Sequence, residues 1–328
     1  MTKAAALLLA GGLALSACAS DEDSGDSASS NGGGDGELRV GVAYDTGGRG
    51  DKSFNDSAIA GVEAAVEEFG GEIEELSPND DGSNREELLT QLADAGYNPV
   101  IAVGFAYGDI IGDIASEYPD TQFAIVDTSV EELGADNLTG LVFAEEEGSF
   151  LAGVAAASKS VTGRIGFVGG SQSPLIEKFE AGYVAGAQAV KPEIVVDVTY
   201  LSPAGDPSGF GDPEGGKVAA QGMYQAGADI VFHAAGGSGE GVFEAAVEAG
   251  QRAIGVDSDQ YLSASPDQQA VIMTSMLKRV DNAVEEYLTA FADDSLEAGT
   301  DVLNDLSTEG VGLSESGGYI DDIQDVIE

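Results

Sequence analysis

Short apolar runs alternate with stretches of helical periodicity from Leu38 almost to the end of the chain. The run Leu38–Tyr44 is typical of a buried strand, and Asp56–Phe69 carries apolar residues at helical spacing. The helical stretch stops at Gly70 and Gly71, residues that suit a helix C-terminus. This region therefore predicts a strand followed by an amphipathic helix.

The same alternation continues along the chain, and it is typical of parallel sheets covered by helices. It predicts further strands at Ile73–Leu76, Val100–Val103, Gln122–Val126, Leu141–Phe143, Arg164–Val168, Val195–Tyr200, Ile230–His233, Ala253–Val256 and Met273–Met276. It predicts further helices at Arg85–Ala95, Asp109–Glu117, Glu146–Ser158, Ile176–Val190, Val218–Ala226, Gly241–Glu248 and Val280–Ala292.

These elements form two blocks, each with the size of one open α/β domain. We expect a first domain made of residues 37–143 together with about 272–300. We expect a second made of residues 144–271 and the C-terminal tail. Because open parallel sheets bind ligands outside the carboxyl ends of their strands, two facing domains would hold a ligand in the cleft between them.

The start of the chain has the pattern of a bacterial lipoprotein leader. A lone Lys3 precedes an apolar stretch that ends in Leu15-Ser16-Ala17-Cys18 and is too short to span a bilayer as a helix. We predict a signal peptide over residues 1–17 and lipidation of Cys18. Residues 18–36 would form the lipid anchor and a flexible spacer of small polar residues. The expected location is the extracytoplasmic face of the cell membrane, contacted through the lipid alone.

Composition excludes several kinds of function. The 13 Lys and Arg residues against 59 Asp and Glu give a formal net charge of −46, which would repel nucleic acid. One cysteine and one histidine leave no disulfide framework, no cysteine zinc site and no multi-histidine metal site. We predict no metal and no cofactor.

Motifs that could indicate an enzyme are incomplete. Gly211–Lys217 has the spacing of a phosphate-binding loop, but Val218 follows where Ser or Thr would hold magnesium. His233 is interpreted as a residue that lines a cleft or packs at its rim. Glu145–Glu147 is interpreted as a solvated helix start, where negative charge is favourable.

Polar and aromatic residues directly after predicted strands are the better candidates for a site. Asp51–Asp56 follows the first strand, Asp127 ends Phe123–Val126, and Asp257 ends Ile254–Val256. Phe210 lies in a glycine-rich loop, and Lys278 follows the strand near Met276. Each position faces the expected cleft.

These residues lie in motifs that resemble the basic membrane protein family of substrate-binding lipoproteins, the purine-nucleoside receptors of ABC transporters. The resemblance extends from Leu38 to about Phe291. Its motifs are Tyr44–Ser57, Phe123–Asp127, Phe232–Gly239, Gly255–Gln260 and Thr274–Arg279.

The resemblance implies a type I periplasmic-binding-protein fold, with two hinged α/β domains that close on a ligand. Asn55 and Asp127 would then bind the nucleobase, Phe210 would stack on it, and Asp257 and Lys278 would bind the ribose. Asp51 and an amide near Gly236 complete the predicted ligand-binding set. The expected partners are a nucleoside and the permease and ATPase subunits of an importer, with no catalysis.

One departure from the family bears on the base. Relatives often carry an aromatic residue and an acid where this chain has Gly48 and Arg49. The resemblance therefore supports the recognition of ribose more strongly than it supports a preference for purine bases. Alternatives are another ribosyl, sugar or flavin ligand, or a nucleoside hydrolase that holds calcium near the ribose.

Overall fold

The computed structural model describes residues 37–327, so the predicted signal peptide, the predicted lipidation site Cys18 and the whole predicted spacer lie outside the described residues. The strands are β1 Leu38–Ala43, β2 Gly71–Leu76, β3 Val100–Ala102, β4 Phe123–Val126, β5 Leu138–Phe143, β6 Arg164–Ser171, β7 Val195–Ser202, β8 Ile230–Ala234, β9 Arg252–Asp257, β10 Ile272–Lys278, β11 Asp301–Asn304 and β12 Val311–Leu313.

The helices cover the faces of the sheets formed by these strands. They are α1 Phe54–Phe69, α2 Arg85–Asp94, α3 Gly108–Glu117, α4 Glu145–Lys159, α5 Pro174–Val190, α6 Pro213–Gln225, α7 Gly239–Ala249, α8 Gln260–Ser263, α9 Pro266–Gln269, α10 Val280–Ala292 and α11 Gln324–Ile327.

The strands form two six-stranded sheets with the same internal order. The first is β11-β5-β4-β3-β1-β2 and the second is β12-β10-β9-β8-β6-β7. All pairings are parallel except that of β12 with β10, which is antiparallel. Central strands such as β4 and β8 are buried along their whole length, which explains their continuous apolar sequences. The predicted α/β class with two open sheets is confirmed.

The chain crosses between the two domains at three places. Helix α4 follows β5 of the first sheet but packs on α5 of the second domain, and α10 follows β10 of the second sheet but packs on α1 of the first. The third crossing joins β11 to β12. Each domain thus receives the helix that follows the fifth strand of the other.

The expected division of the chain is wrong at two strands. Strand β10 was expected in the first domain, but it pairs with β9 in the second sheet. It is buried on both faces there and follows β9 in the chain, and consecutive strands commonly lie side by side. Strand β11 was expected with the C-terminal tail in the second domain, but it extends the first sheet beside β5.

Candidate functional site in the cleft between the domains

The carboxyl ends of both sheets face a cavity between the two domains. The cavity and its mouth together contain about 520 Å³ of space not occupied by atoms, part of it open to solvent. The structure brings all seven residues of the predicted ligand-binding set to its wall: Asp51, Asn55, Asp127, Phe210, Gly236, Asp257 and Lys278. The first three belong to the first domain and the other four to the second.

Asp127 and Asp257 occupy corresponding positions in the two sheets. Asp127 directly follows β4 and Asp257 ends β9, each the fourth strand of its domain in chain order. Both residues adopt the left-handed backbone conformation, with φ of +71° and +63°. This conformation is unfavourable for residues other than glycine, though Asp tolerates it better than most, and it is often found at functional sites. The two carboxylates therefore enter the cleft from opposite domains.

Lys278 lies between these carboxylates, at the end of β10, and is 1% exposed. Its Nζ is 2.6 Å from Oδ1 of Asp127 and 3.1 Å from Oε1 of Glu145. Burial alone would lower the pKa of Lys278, but Asp127, Glu145 and Asp257 outweigh burial and raise the pKa above its ordinary value. Lys278 is therefore a fixed positive charge at the cleft.

Glu145 is fully buried, so its interpretation as part of a solvated helix start is wrong. Its second oxygen, Oε2, accepts a hydrogen bond from Nζ of Lys178 at 3.1 Å. The sequence motif contains no sign of either lysine partner, because both lie far along the chain. Its neighbour Glu146 is exposed, as expected.

The pKa values of the two cleft aspartates are raised. Burial raises the pKa of Asp127 to about 7, with Lys278 opposing and Glu145 adding to the rise. Burial likewise raises the pKa of Asp257 to about 6, opposed by Lys278 and by a hydrogen bond from Ser53. Both carboxyl groups therefore titrate close to neutral pH.

Three aromatic rings surround the ammonium group of Lys278. Its Nζ lies 5.3 Å from the ring centre of Phe54, 5.0 Å from that of Phe143 and 5.5 Å from that of Phe179. Such contacts favour a desolvated cation. Phe54 and Phe179 also line the cavity, so this part of the wall is apolar as well as charged.

The amide of Asn55 has a fixed orientation. Its Oδ1 accepts a hydrogen bond from the backbone N–H of Asp45 at 2.9 Å, and its Nδ2 donates to Oδ2 of Asp51 at 3.0 Å. Because the backbone amide can only donate and the carboxylate can only accept, the two ends of the Asn55 amide are distinguished. Asn55 can offer its remaining N–H to a ligand.

Asp51 has a local structural role beside its place in the cavity wall. Its carboxylate accepts from the backbone amides of Ser53, Asn55 and Asp56 at 2.8–3.1 Å. It therefore satisfies free amides at the start of α1 and holds this loop against the cleft.

Phe210 reaches the cavity from a loop held by two serines. Ser202 Oγ donates to the backbone oxygen of Asp206 at 2.6 Å, and Ser238 Oγ donates to that of Gly209 at 2.8 Å. A Cβ atom at position 170 would collide with the ring of Phe210, so glycine is required there. Gly236 borders the same residue and has φ of +52°.

The two domains contact each other directly beside the cavity. Ser53 of the first domain hydrogen-bonds Asp257 of the second. The backbone oxygen of Lys52 accepts from Gln260 Nε2 at 3.1 Å and from Ser258 Oγ at 3.2 Å. We call these contacts, with their residues Lys52, Ser53, Asp257, Ser258 and Gln260, the cleft clasp.

Arg49 lies outside the cavity wall. Its guanidinium group pairs with Glu75 at 2.9 Å and with Glu63, both on the first domain. Gly48 has φ of +61°, and a Cβ atom there would contact Ser77. Of the two positions that depart from the family pattern, Gly48 is therefore buried against Ser77 and Arg49 is exposed.

His233 is fully buried and does not line the cavity. Its ring packs edge-on against Phe243 with 5.1 Å between ring centres, and burial lowers its pKa to about 4. It is a neutral residue of the second domain's interior, so the prediction that it lines the cleft or packs at its rim is wrong.

Sequence reasoning missed part of the cavity wall. The additional lining residues are Asp45, Thr46, Phe54, Phe105, Leu175, Ile176, Phe179, Ala234, Ala235 and Val256. Phe54 lies inside the candidate segment Asp51–Asp56 although it is not in the predicted ligand-binding set, and adjacency to residues of that set could have identified Ala235 and Val256. Phe105 and Phe179 are not adjacent to such residues and resemble ordinary core residues.

Neither a metal centre nor a helix able to cross a membrane is found within residues 37–327. In this part of the chain, no group of three or more His, Cys, Asp or Glu side chains is arranged to hold a metal ion. The described helices include none that combines the length and the apolar character needed to cross a membrane.

Comparisons with known proteins agree with this architecture. A family model described as "ABC transporter substrate-binding protein PnrA-like" matches residues 38–327. The chain is 34% identical to the "ABC transporter nucleoside-binding protein BmpA" of Lactococcus lactis subsp. cremoris, over 94% of this chain and 89% of that protein. It is also 34% identical to a "CD4+ T-cell-stimulating antigen" of Listeria innocua, over 95% and 89% of the two chains.

Solved structures give the same result for the fold. A solute-binding protein of an ABC transporter system from Aeropyrum pernix aligns with a TM-score of 0.76 and 30% identity, covering 88% of this chain and 79% of that one. The two sheets, the three crossings and this neighbour confirm the expected type I periplasmic-binding-protein fold.

Proposed function

Because this chain belongs to the PnrA-like family of ABC transporter substrate-binding proteins, we propose that it binds nucleosides and delivers them to an ABC importer. The observation that carries the proposal is the convergence of Asn55 and Asp127 with Phe210, Asp257 and Lys278 on one cavity between the two domains. A relative of 34% identity is named as a nucleoside-binding protein.

The chemistry of the cavity suits each part of a nucleoside. The free N–H of Asn55 and the carboxyl group of Asp127 offer a donor and an acceptor to a base edge. Phe210 offers a flat face, worth about 1–3 kcal/mol for a stacked base. Asp257 can accept from two vicinal ribose hydroxyls, and such charge-assisted hydrogen bonds are about twice as strong as neutral ones.

We further propose that purine nucleosides are the preferred ligands, since a two-ring base would contact the apolar wall over a larger area. The departure at Gly48 and Arg49 does not remove this wall, because Arg49 is held outside it by Glu63 and Glu75.

Calorimetric titration of the purified protein tests both proposals. Inosine, guanosine and adenosine should bind more tightly than cytidine, and all should bind more tightly than ribose or riboflavin. No binding of any nucleoside at millimolar concentration would refute the proposed function, and equal affinity for cytidine and inosine would refute the purine preference.

Release of the ligand unchanged is part of the proposal. Incubation of the protein with inosine should yield no free hypoxanthine by chromatography. Turnover would favour a nucleoside hydrolase instead.

We propose that the protein acts at the extracytoplasmic face of the membrane, anchored through Cys18. Mass spectrometry of the mature protein should find Cys18 as a lipid-modified N-terminus, and Cys18→Ser should abolish membrane association. An unmodified residue 18 in mature protein from its native host would contradict this proposal.

A further inference from the structure

Glu145 is the buried charge at the cleft that the proposed ligand contacts do not use. It is fully buried and does not line the cavity. Its two oxygens lie 3.1 Å from the ammonium groups of Lys278 and Lys178. Moving a carboxylate out of water is costly unless it is paired, so this arrangement needs both lysines.

The position of Glu145 relative to the domains gives its pairs different roles. It begins α4, immediately after the chain crosses from the first domain, and α4 packs against β10, which carries Lys278. The Glu145–Lys278 pair therefore lies within the second domain. The Lys278–Asp127 pair joins the second domain to the first. A hinge motion would lengthen the contact with Asp127 and leave the contact with Glu145 in place.

We propose that Glu145 is a positioning residue: it holds the ammonium group of Lys278 at the edge of the cleft, so that Lys278 meets Asp127 and the ligand in one geometry whenever the domains close. This inference rests on the proposed nucleoside-binding function. Without Glu145, the flexible Lys278 side chain would have to be ordered during closure, which weakens binding.

The charged groups around the Glu145 carboxylate make its proposed positioning of Lys278 measurable. They are Lys278, Lys178, Asp127, Asp257 and, on the loop before α1, Asp51. The negative charge of Glu145 contributes to the raised pKa values of Asp127 and Asp257. Lys278 acts in the opposite direction and more strongly on Asp127, so a variant in which Lys278 loses its position should have a raised Asp127 pKa, whereas loss of the Glu145 charge alone would lower it.

The test compares Glu145→Gln with Glu146→Gln. Both variants remove one negative charge from the first turn of α4, but Glu146 is exposed. For Glu145→Gln we expect the Kd for inosine at pH 8 to rise about ten-fold or more, the size typical of coupled neighbours. We also expect the loss of affinity on acidification to begin at a higher pH than in the wild type, because Asp127 would lose its ammonium partner. Glu146→Gln should match the wild type in both respects.

A ligand-free measurement separates this inference from the proposed function. Carbon NMR titration of the Asp127 carboxyl group should give a higher pKa in Glu145→Gln and an unchanged pKa in Glu146→Gln. Wild-type protein that binds no nucleoside would refute the function, whereas an unchanged or lowered Asp127 pKa in Glu145→Gln would overturn the inference.

Lys178→Gln keeps the inference testable if Glu145→Gln does not fold. Lys178 is 46% exposed in its side chain, so its replacement should leave the fold intact. It would free Oε2 of Glu145 and raise the Kd for inosine several-fold. Wild-type affinity in this variant, or a weakened Glu145→Gln whose pH profile has not moved, would also overturn the inference.

Discussion

At the scale of single residues, the cleft contains a buried carboxyl group in an unfavourable backbone conformation. Asp257 is buried as a titratable carboxyl group and adopts a left-handed backbone conformation. Each property costs stability, and such costs are common at functional sites. Asp257 should therefore contribute to binding and oppose folding.

Asp257→Asn should make the ligand-free protein more stable at pH 8 by roughly 2–4 kcal/mol, since one pKa unit corresponds to about 1.4 kcal/mol. The pKa of Asp257 is raised from 3.8 to about 6 in the folded state, so between these values the folded protein binds more protons than the unfolded chain. Stability from this group is then lost as the pH rises through that window. An asparagine cannot ionise and avoids the loss. Urea unfolding at several pH values measures the difference.

The stability gain of Asp257→Asn should disappear near pH 3.5, where the wild-type carboxyl group is protonated in both states. The same variant should bind nucleosides more weakly. Asp267→Asn, at an exposed position in α9, is the control and should change neither property. A variant that is less stable than the wild type at pH 8 would contradict the linkage argument.

The sequence predicted the site residues that end strands and missed those defined by packing. Asp127, Asp257 and Lys278 could be predicted because the ends of parallel strands meet at one edge of a sheet. Glu145 could not, since its burial depends on two lysines that only the folded chain brings beside it. The local sequence of three consecutive acids does not indicate whether one of them is buried.

At the scale of elements, the apolar pattern predicted every long strand and helix. It missed β11 and β12, two short outer strands with partly exposed residues and no clear apolar run. It also placed β10 in the wrong domain, because periodicity defines an element but not the sheet that it joins. The exchange of α4 and α10 between the domains likewise depends on packing surfaces and not on local sequence.

Glycines make the close packing of α4 on α5 possible. A Cβ atom at Gly186 would collide with the backbone oxygen of Phe150, and one at Gly182 with that of Glu146. We expect Gly186→Ala to destabilise the protein by about 1–3 kcal/mol, because two helix backbones would have to separate. Chemical denaturation measures the change.

Gly222→Ala is the matched control for Gly186→Ala. Gly222 lies inside α6, and its added Cβ atom would meet nothing within 4 Å. Alanine is the better helix former and restricts the unfolded chain, so this variant should be stabilised by about 0.4–1 kcal/mol. Equal effects of the two substitutions would show that helix propensity, and not the close approach of α4 and α5, decides the outcome.

At the scale of the whole molecule, the three crossings connect the two domains, and the cleft clasp joins them beside the cavity. Gln260 is central to the clasp because it is 4% exposed and forms hydrogen bonds to both domains. Its Oε1 accepts from the backbone amide of Val256 in its own domain, at 2.9 Å, while its Nε2 donates across the cleft to Lys52. A ligand shifts the equilibrium between the open and closed arrangements only if it binds one of them more tightly. Because the clasp stabilises the closed arrangement, it reduces the binding free energy that the ligand must contribute to closure.

Gln260→Glu should shift the molecule toward an open arrangement. The substitution retains the acceptor for Val256 but places a carboxylate oxygen against the backbone oxygen of Lys52, which penalises only the closed form. We expect a larger radius of gyration by small-angle X-ray scattering at pH 8, a Kd for inosine raised by about 5- to 100-fold, and partial return to the wild-type radius at saturating inosine. Gln269→Glu also loses an amide-to-carbonyl hydrogen bond, but to Tyr261 of the same domain, so it should leave the radius unchanged. If the two variants scatter and bind alike, closure does not depend on the clasp.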